Sequence, residues 1–468
     1  MKIKFLKIGL ILTGLSFMVS CSEDFLDVDS RDSLEAEDTE NVTPEEMVTG
    51  VYGMLTEWDY AFSYLGITEI ISDNADKGSS PTDTGGDKHL LDGLTHNTSS
   101  GSISAMWTRW YKSVGRASIA IDYTENYALE NEAYKNRLIG EAKFLRALNY
   151  FWLVRSFGDV PLQHIDYAVR APKSDVYAFI EQDLLDAIDA LPLKSDYDAD
   201  DLGRATKGAA QGLLAKVYMY QEKWPEAYAM TTAVINSQEY NLHSNYAELW
   251  RASQENGIES LFEVQARGVA IAHGVQQYSQ TQGARGTSGW GWGFNTPSQN
   301  LMDAFDAEGD AIRKNATIIF PGETLWDGRF VSTSVENIGY NEKAYSSNNA
   351  GASDGDKNVR ILRFAEILLI RAEAAIHTGA DAATPLNLVR ERVDLDPIAN
   401  PTLQDVWKER RLELAFEHDR WFDLIRTGQA SQAMTANGKT FVIGKHELFP
   451  IPNNQLIQTP DMGQNPEW

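Results

Sequence analysis

One cysteine in 468 residues excludes an internal disulfide framework, so packing and polar contacts must hold this chain together. Bases are scarce as well. The 41 Lys and Arg face 67 Asp and Glu, and the resulting formal charge of −26 disfavours nucleic acid and polyanionic surfaces as partners. Histidine is rare, and the eight present show no metal-ligand spacing, so no metal is expected. No HExxH, P-loop or GxSxG string occurs, and neither a catalytic motif nor a cofactor is implied. After the first 20 residues no apolar run approaches the ~20 residues of a membrane-spanning helix.

What is present starts at the N-terminus. Lys2, Lys4 and Lys7 precede the apolar stretch Ile8–Val19, and Ser20 places a small residue before Cys21. The stretch is about 12 residues, too short to span a bilayer. Met18-Val19-Ser20-Cys21 resembles a lipobox, which predicts a signal peptide over 1–20 and a lipidated Cys21. Ser22-Glu23-Asp24 resembles the acidic export signal of surface lipoproteins in the Bacteroidetes, so the expected location is the outer membrane, lipid-anchored and facing outward. Residues 21–42 read as an acidic tether, because Glu23 to Asn41 is rich in acids and Ser and lacks helical periodicity.

The body that follows is patterned for helices. Thr43, Pro44 and Glu46 form a helix-start pattern. Trp107–Tyr127 and Ala133–Phe157 read as helices, the second with Ala142, Leu145, Leu148 and Trp152 on one face. Within Gly208–Ser237, Ala210, Leu213, Leu214, Val217 and Tyr218 mark one amphipathic helix and Pro225 opens another. This pair resembles a tetratricopeptide repeat, and a similar unit recurs at Arg363–Arg392. Glu141–Leu191 forms a looser pair, and Asp405–Arg426 reads as one long helix. Asp73–Gly101 reads as loop, and Glu255–Gly355 as loops with short strands. Asp354-Gly-Asp-Lys-Asn358 reads as a solvated turn, lacking a full calcium-loop pattern.

Several strings resemble the SusD/RagB family in that family's order. They are Glu141–Phe151 with Phe157-Gly-Asp-Val-Pro161, Gly203–Gly208, Arg363–Glu373, Glu409–Glu417 with Arg420–Leu424, and Pro450-Ile-Pro452 with Gln464-Asn-Pro466. The resemblance implies a mostly α fold of tetratricopeptide-like helical pairs in a right-handed superhelical scaffold, packed against an irregular, loop-rich lobe with few short strands. The implied parts are residues 43–255, carrying helical repeats, and 256–468, carrying the ligand lobe and closing helices. It further implies a non-enzymatic surface lipoprotein that captures an oligosaccharide or polysaccharide and serves as lid for a SusC-like TonB-dependent transporter. A peptide-capturing, RagB-like lid is the alternative. The charge favours a neutral glycan such as a β-glucan.

Aromatic residues make up 10% of the chain, enough to supply flat faces for sugar rings. Trp290 and Trp292 alternate with Gly289, Gly291 and Gly293, and are expected to present two indoles to a glycan. Trp58 and Tyr60 follow the first helix and are expected to complete the platform. Asp73 and Asn74 are expected to meet sugar hydroxyls. Trp107, Trp110 and Tyr111 are assigned to packing. Glu409, Glu413 and Glu417, at i, i+4 and i+8, are read as an ion-pair network that locks helices rather than as catalytic carboxylates.

Overall fold

The computed structural model describes residues 42–162, 169–266, 274–346 and 355–468. Cys21, the signal and the acidic tether up to Asn41 lie outside them, as does Asp354. Residues Pro44–Trp468 form one compact unit, which is mostly helical with few short strands. In chain order the helices used below are α1 Pro44–Gly53, α2 Gly101–Asn126, α3 Glu132–Phe157, α4 Lys173–Ala190, α5 Lys207–Tyr220, α6 Trp224–Ser237, α7 Gln299–Glu308, α8 Ala311–Thr317, α9 Phe364–Thr378, α10 Ala383–Glu391, α11 Leu403–Glu413 and α12 Arg420–Arg426. Among the described residues, three two-stranded antiparallel sheets join them. They pair β1 Ala75–Gly78 with β3 Phe294–Pro297, β2 Ser260–Val264 with β6 Val359–Arg363, and β4 Ile318–Ile319 with β5 Tyr340–Asn341.

Successive antiparallel helix pairs build the scaffold. Thr206 caps α5 by accepting the Ala209 N–H at 3.0 Å, and Pro225 sits in the first turn of α6. Ala215 and Ala227 are fully buried, as close packing of α5 on α6 requires. Gly212 serves a second contact. A Cβ there would stand 2.7 Å from Leu261 and 2.9 Å from Leu362, so its absence lets β2 and β6 lie directly on α5. The pair α9–α10 repeats the motif, with α6 packed against α9.

The α3 helix departs from its expected one-sided pattern. From Glu141 onward Phe144, Ala147, Tyr150, Phe151, Leu153 and Val154 are buried together with the predicted face. It is covered on all sides, as a central helix must be. Trp107 and Trp110 from α2 are buried with it, and Tyr111 packs half-buried, in line with the packing assignment.

Two expectations change here. Asp405–Arg426 is not one helix, because α11 ends at Glu413 and α12 starts at Arg420, with Phe416 and His418 at φ of 64° and 70° between them. Buried partners hold His418 in that unfavourable backbone region. Its ring nitrogens lie 3.0 Å from Thr68 Oγ1 and 3.1 Å from Tyr278 Oη, and its N–H donates to Glu69. The Asp73–Gly101 segment likewise carries β1 and a short helix, Lys88–Asp92.

Glu417 therefore lies beyond the helix that bears Glu409 and Glu413, yet all three carboxylates join one buried charge network. Arg363 reaches Glu259 at 2.7 Å, Glu413 at 2.6 Å and Glu417 at 2.6 Å, while Arg313 on α8 bridges Glu409 and Glu413 at 2.6 and 3.0 Å. Three guanidiniums, those of Arg392, Arg363 and Arg313, outweigh burial and hold the Glu413 carboxyl well below its ordinary range. Each carboxylate is occupied by cations that tie α8, β6, α10 and α11 together, so the network is a helix lock.

Candidate carbohydrate-binding surface

The two long loops that the sequence singles out are zipped together. Strands β1 and β3 pair through Ala75↔Pro297, Asp76↔Thr296 and Gly78↔Phe294. Gly78 makes this possible, since its φ is +66° and a Cβ would stand 2.2 Å from the Gly293 carbonyl oxygen. After the strand, the Lys77 ammonium donates to the Ser80 and Asp83 carbonyl oxygens at 3.0 and 2.6 Å and shapes the loop.

The glycine-dense segment folds back on itself. Trp290 and Gly291 N–H groups both donate to the Ala284 carbonyl at 2.8 Å, and the Trp292 N–H donates to Gln280 at 2.8 Å. A Cβ on Gly289 or Gly291 would lie 2.4 Å from the Ala284 oxygen or the Gly283 Cα. These glycines serve close backbone approach rather than the expected freedom of the two indoles.

Trp290 is half-buried against Ala284, Ile319, Leu325, Val331, Tyr340 and Tyr345, so one face belongs to the lobe's own core. Its edge meets Tyr345 at 5.6 Å between ring centres. Tyr345 in turn makes a T-shaped contact with Trp326 at 6.2 Å. Trp326 is 48% exposed and its neighbour Phe330 59%. Two guanidiniums bracket the row. Arg329 stacks 5.0 Å from Trp290 and 5.4 Å from Tyr345, and Arg251 lies 4.2 Å from Trp326. Arg251 is tied to Glu342 at 3.3 Å, and the Tyr345 hydroxyl donates to Asp327 at 2.5 Å. Burial pushes Glu342 up to about 7, against the pull of Arg251. The result is a rigid aromatic ledge with one exposed end, framed by N–H donors that can reach hydroxyl oxygens.

Trp58 forms a second, smaller ledge. It is 39% exposed, packs 4.9 Å from Phe62, and donates through its indole N–H to Gln277 at 2.5 Å. Phe62 meets Phe294 edge-on at 5.1 Å and carries the Lys88 ammonium 3.6 Å from its ring centre. Trp292 is half-buried beside Gly293, which precedes Phe294 on β3.

The other expected contacts are corrected. Tyr60 is only 2% exposed and packs against Tyr64 and Trp152, so it offers no platform. Asp73 and Asn74 are 2% and 0% exposed and do not face a ligand. Arg420 holds Asp73 through two bonds of 2.7 Å, and Arg411 donates to Asn74 at 2.8 Å. Asp354–Asn358 is not a wholly solvated turn either, because Lys357 and Asn358 are buried, the latter donating to Glu263 at 3.0 Å. Among the described residues no group of three or more His, Cys, Asp or Glu is placed to hold a metal.

Trp326, Tyr345, Arg251 and Arg329 escaped the sequence reading. One signal was available: Trp326-Asp-Gly-Arg-Phe330 is an Asp-Gly turn flanked by aromatics, a hairpin signature. The structure closes it with the Leu325 N–H donating to the Arg329 carbonyl at 2.9 Å and Gly328 at φ +89°.

A mostly helical scaffold of repeated pairs carries an aromatic loop lobe, and comparison with known proteins identifies this architecture. A family model described as "Starch-binding associating with outer membrane" matches residues 24–219, and one described as "SusD family" matches residues 329–468. The chain belongs to the SusD/RagB family, whose members are non-catalytic. It is 27% identical to SusD-like protein P2 of Formosa agariphila, over 89% of this chain and 90% of that one. Among solved structures it is similar to a laminarin-binding SusD-like protein, with 29% identity, a TM-score of 0.78, and coverage of 91% of this chain and 99% of that one. It also resembles surface glycan-binding protein A from Bacteroides uniformis, with 26% identity, a TM-score of 0.76, and coverage of 90% and 98%.

Proposed function

We propose that this protein is a lipid-anchored, cell-surface glycan-binding protein that captures a neutral glycan such as a β-glucan and acts as lid for a SusC-like TonB-dependent transporter. The observation that carries this reading is the Trp290–Tyr345–Trp326 ledge with its exposed end and flanking guanidiniums. An indole face packs on the apolar face of a sugar ring, and guanidinium N–H groups donate to its oxygens. The laminarin-binding relative supports a β-glucan, and the formal charge of −26 works against a polyanionic chain. The anchor reading rests on Cys21 and the residues before it.

Electrophoresis through gels containing laminarin tests the reading. The protein is expected to be retarded, and Trp326→Ala is expected to run like a non-binding control. Wild-type protein that is not retarded by laminarin or other neutral glycans would overturn it.

A further inference from the structure

Trp326 stands in the tight turn that the Leu325 N–H closes on the Arg329 carbonyl, and what steadies its indole comes from elsewhere in the chain. Among the described residues, the ring is met by Tyr345 in a T-shaped contact at 6.2 Å and by the Arg251 guanidinium, which lies over it at 4.2 Å. A planar cation packed on an indole backs that face and fixes the angle of the ring. The rest of the side chain, 48% exposed, is left for a sugar.

Arg251 is itself mostly buried, so its charge needs a partner. Among the described residues that partner is the buried Glu342, at 3.3 Å. Glu248 and Asp327 also face Arg251, but neither comes within ion-pair distance, and Asp327 accepts the Tyr345 hydroxyl. The backbone of Glu342 is fixed on both sides. Its N–H donates to the Thr317 carbonyl and its carbonyl accepts the Tyr345 N–H, both at 2.9 Å. One residue therefore braces Tyr345 through its backbone and Trp326 through Arg251.

The charge on Glu342 decides whether the second brace holds. Burial and Glu323 oppose its ionisation, Arg251 and Lys357 favour it, and the balance leaves the carboxyl at about 7. It is charged above that pH and neutral below it. A neutral partner strands the Arg251 guanidinium, which then gains by turning toward water and leaving the indole. We infer that Glu342 is a positioning residue of the glycan site: charged, it holds Arg251 over Trp326 and keeps the ledge tight-binding, and neutral, it lets the ledge loosen. This control of affinity rests on the ledge being the glycan site and adds what regulates it.

The test uses the full-length chain labelled with fluorotryptophan, the Trp326 fluorine resonance being identified by its loss in Trp326→Phe. That resonance should shift with a midpoint near pH 7 in wild type and stay constant in Glu342→Gln and Arg251→Met. Calorimetric titration with laminarin should show affinity falling about fivefold from pH ~8 to ~6 in wild type, and a low, pH-independent affinity in both variants. The double variant should match either single one. Glu69 and Glu255 also titrate in this range, so Glu69→Gln and Glu255→Gln serve as controls and should keep the wild-type profile. A merely structural role for Glu342 would lower affinity at every pH without flattening the profile. A Trp326 resonance that ignores pH, or that shifts equally in Glu342→Gln, would overturn the inference, as would equal pH slopes of affinity in wild type and Glu342→Gln. If the resonance shifts as expected but laminarin binds at no pH, the glycan reading is what fails, because the hold on Trp326 has then been seen directly.

Discussion

Arg420 clamps Asp73 across 347 residues of chain, its Nε and Nη2 each 2.7 Å from a carboxylate oxygen. The pair fixes the root of β1 to the start of α12, and so joins the loop lobe to the scaffold. Removing one partner of a buried pair strands the other charge. Asp73→Ala is expected to lower unfolding free energy by ~3–5 kcal/mol, read from the urea midpoint. Arg420→Met with Asp73→Leu should recover most of that loss, and no recovery would show that the clamp is not the cause.

The same pair gives an acid signature. Burial acts to raise the Asp73 carboxyl, but Arg420 and Arg411 outweigh it and hold it at about 2. Its folded value is depressed, so its contribution is present above the ordinary value of ~3.9 and is lost as pH falls toward 2. Asp73→Asn should flatten the stability profile between pH ~4 and 2 relative to wild type. Parallel profiles would rule out the depressed carboxyl.

Glu69 behaves in the opposite sense. Burial pushes it up to about 8, only partly offset by the His418 N–H that it accepts. A raised carboxyl favours the folded state fully below its unfolded value of ~4.3, and that favour is lost as pH rises through 8. Glu69→Gln keeps an acceptor for His418 and cannot ionise. Its stability should fall less than that of wild type between pH 5 and 8, measured by thermal melts at each pH.

Trp326 and Trp290 should separate by phenotype. Trp326→Ala removes an exposed face, so affinity for a β-glucan should drop about tenfold or more while stability is kept. Trp290→Ala empties part of the lobe core and should also cost ~2–3 kcal/mol of stability. Equal loss of stability in both variants would contradict the placement of Trp326 at the open end.

Gly78 and Gly328 form a matched pair of backbone tests. Both have positive φ, but a Cβ at Gly78 meets Gly293 at 2.2 Å whereas one at Gly328 meets nothing within 4 Å. Gly328→Ala should cost only the strain of a left-handed residue, ~1 kcal/mol. Gly78→Ala should cost clearly more and should weaken glycan binding by unpairing β1 from β3, measured by melting and titration together.

The helix pairs were legible because their signals are local. The 3.6-residue period of Ala210–Tyr218 and Pro225 each act within a few residues, and the structure places α5 and α6 accordingly. What could not be read depends on distant partners. The break after Glu413 is held by Thr68, Glu69 and Tyr278 around His418, and no local signal announces it. Asp73 carries every mark of a turn residue, and only Arg420 shows it to be a clamp. The aromatic row draws Trp290, Trp326 and Tyr345 from loops that meet only after folding. The glycines beside Trp290 mark close backbone approach, which their sequence alternation with the two indoles does not distinguish from exposure of the rings.

Capture of a neutral glycan without cleavage is tested most directly by calorimetric titration of the full-length chain. The ligands are laminarin, an acidic glycan such as alginate and a set of short peptides, with reducing ends assayed in the same tubes. Saturable heat with laminarin, weak or no heat with alginate, and no new reducing ends is the expected result. Heat from the peptides alone, or a rise in reducing ends proportional to protein, would contradict it.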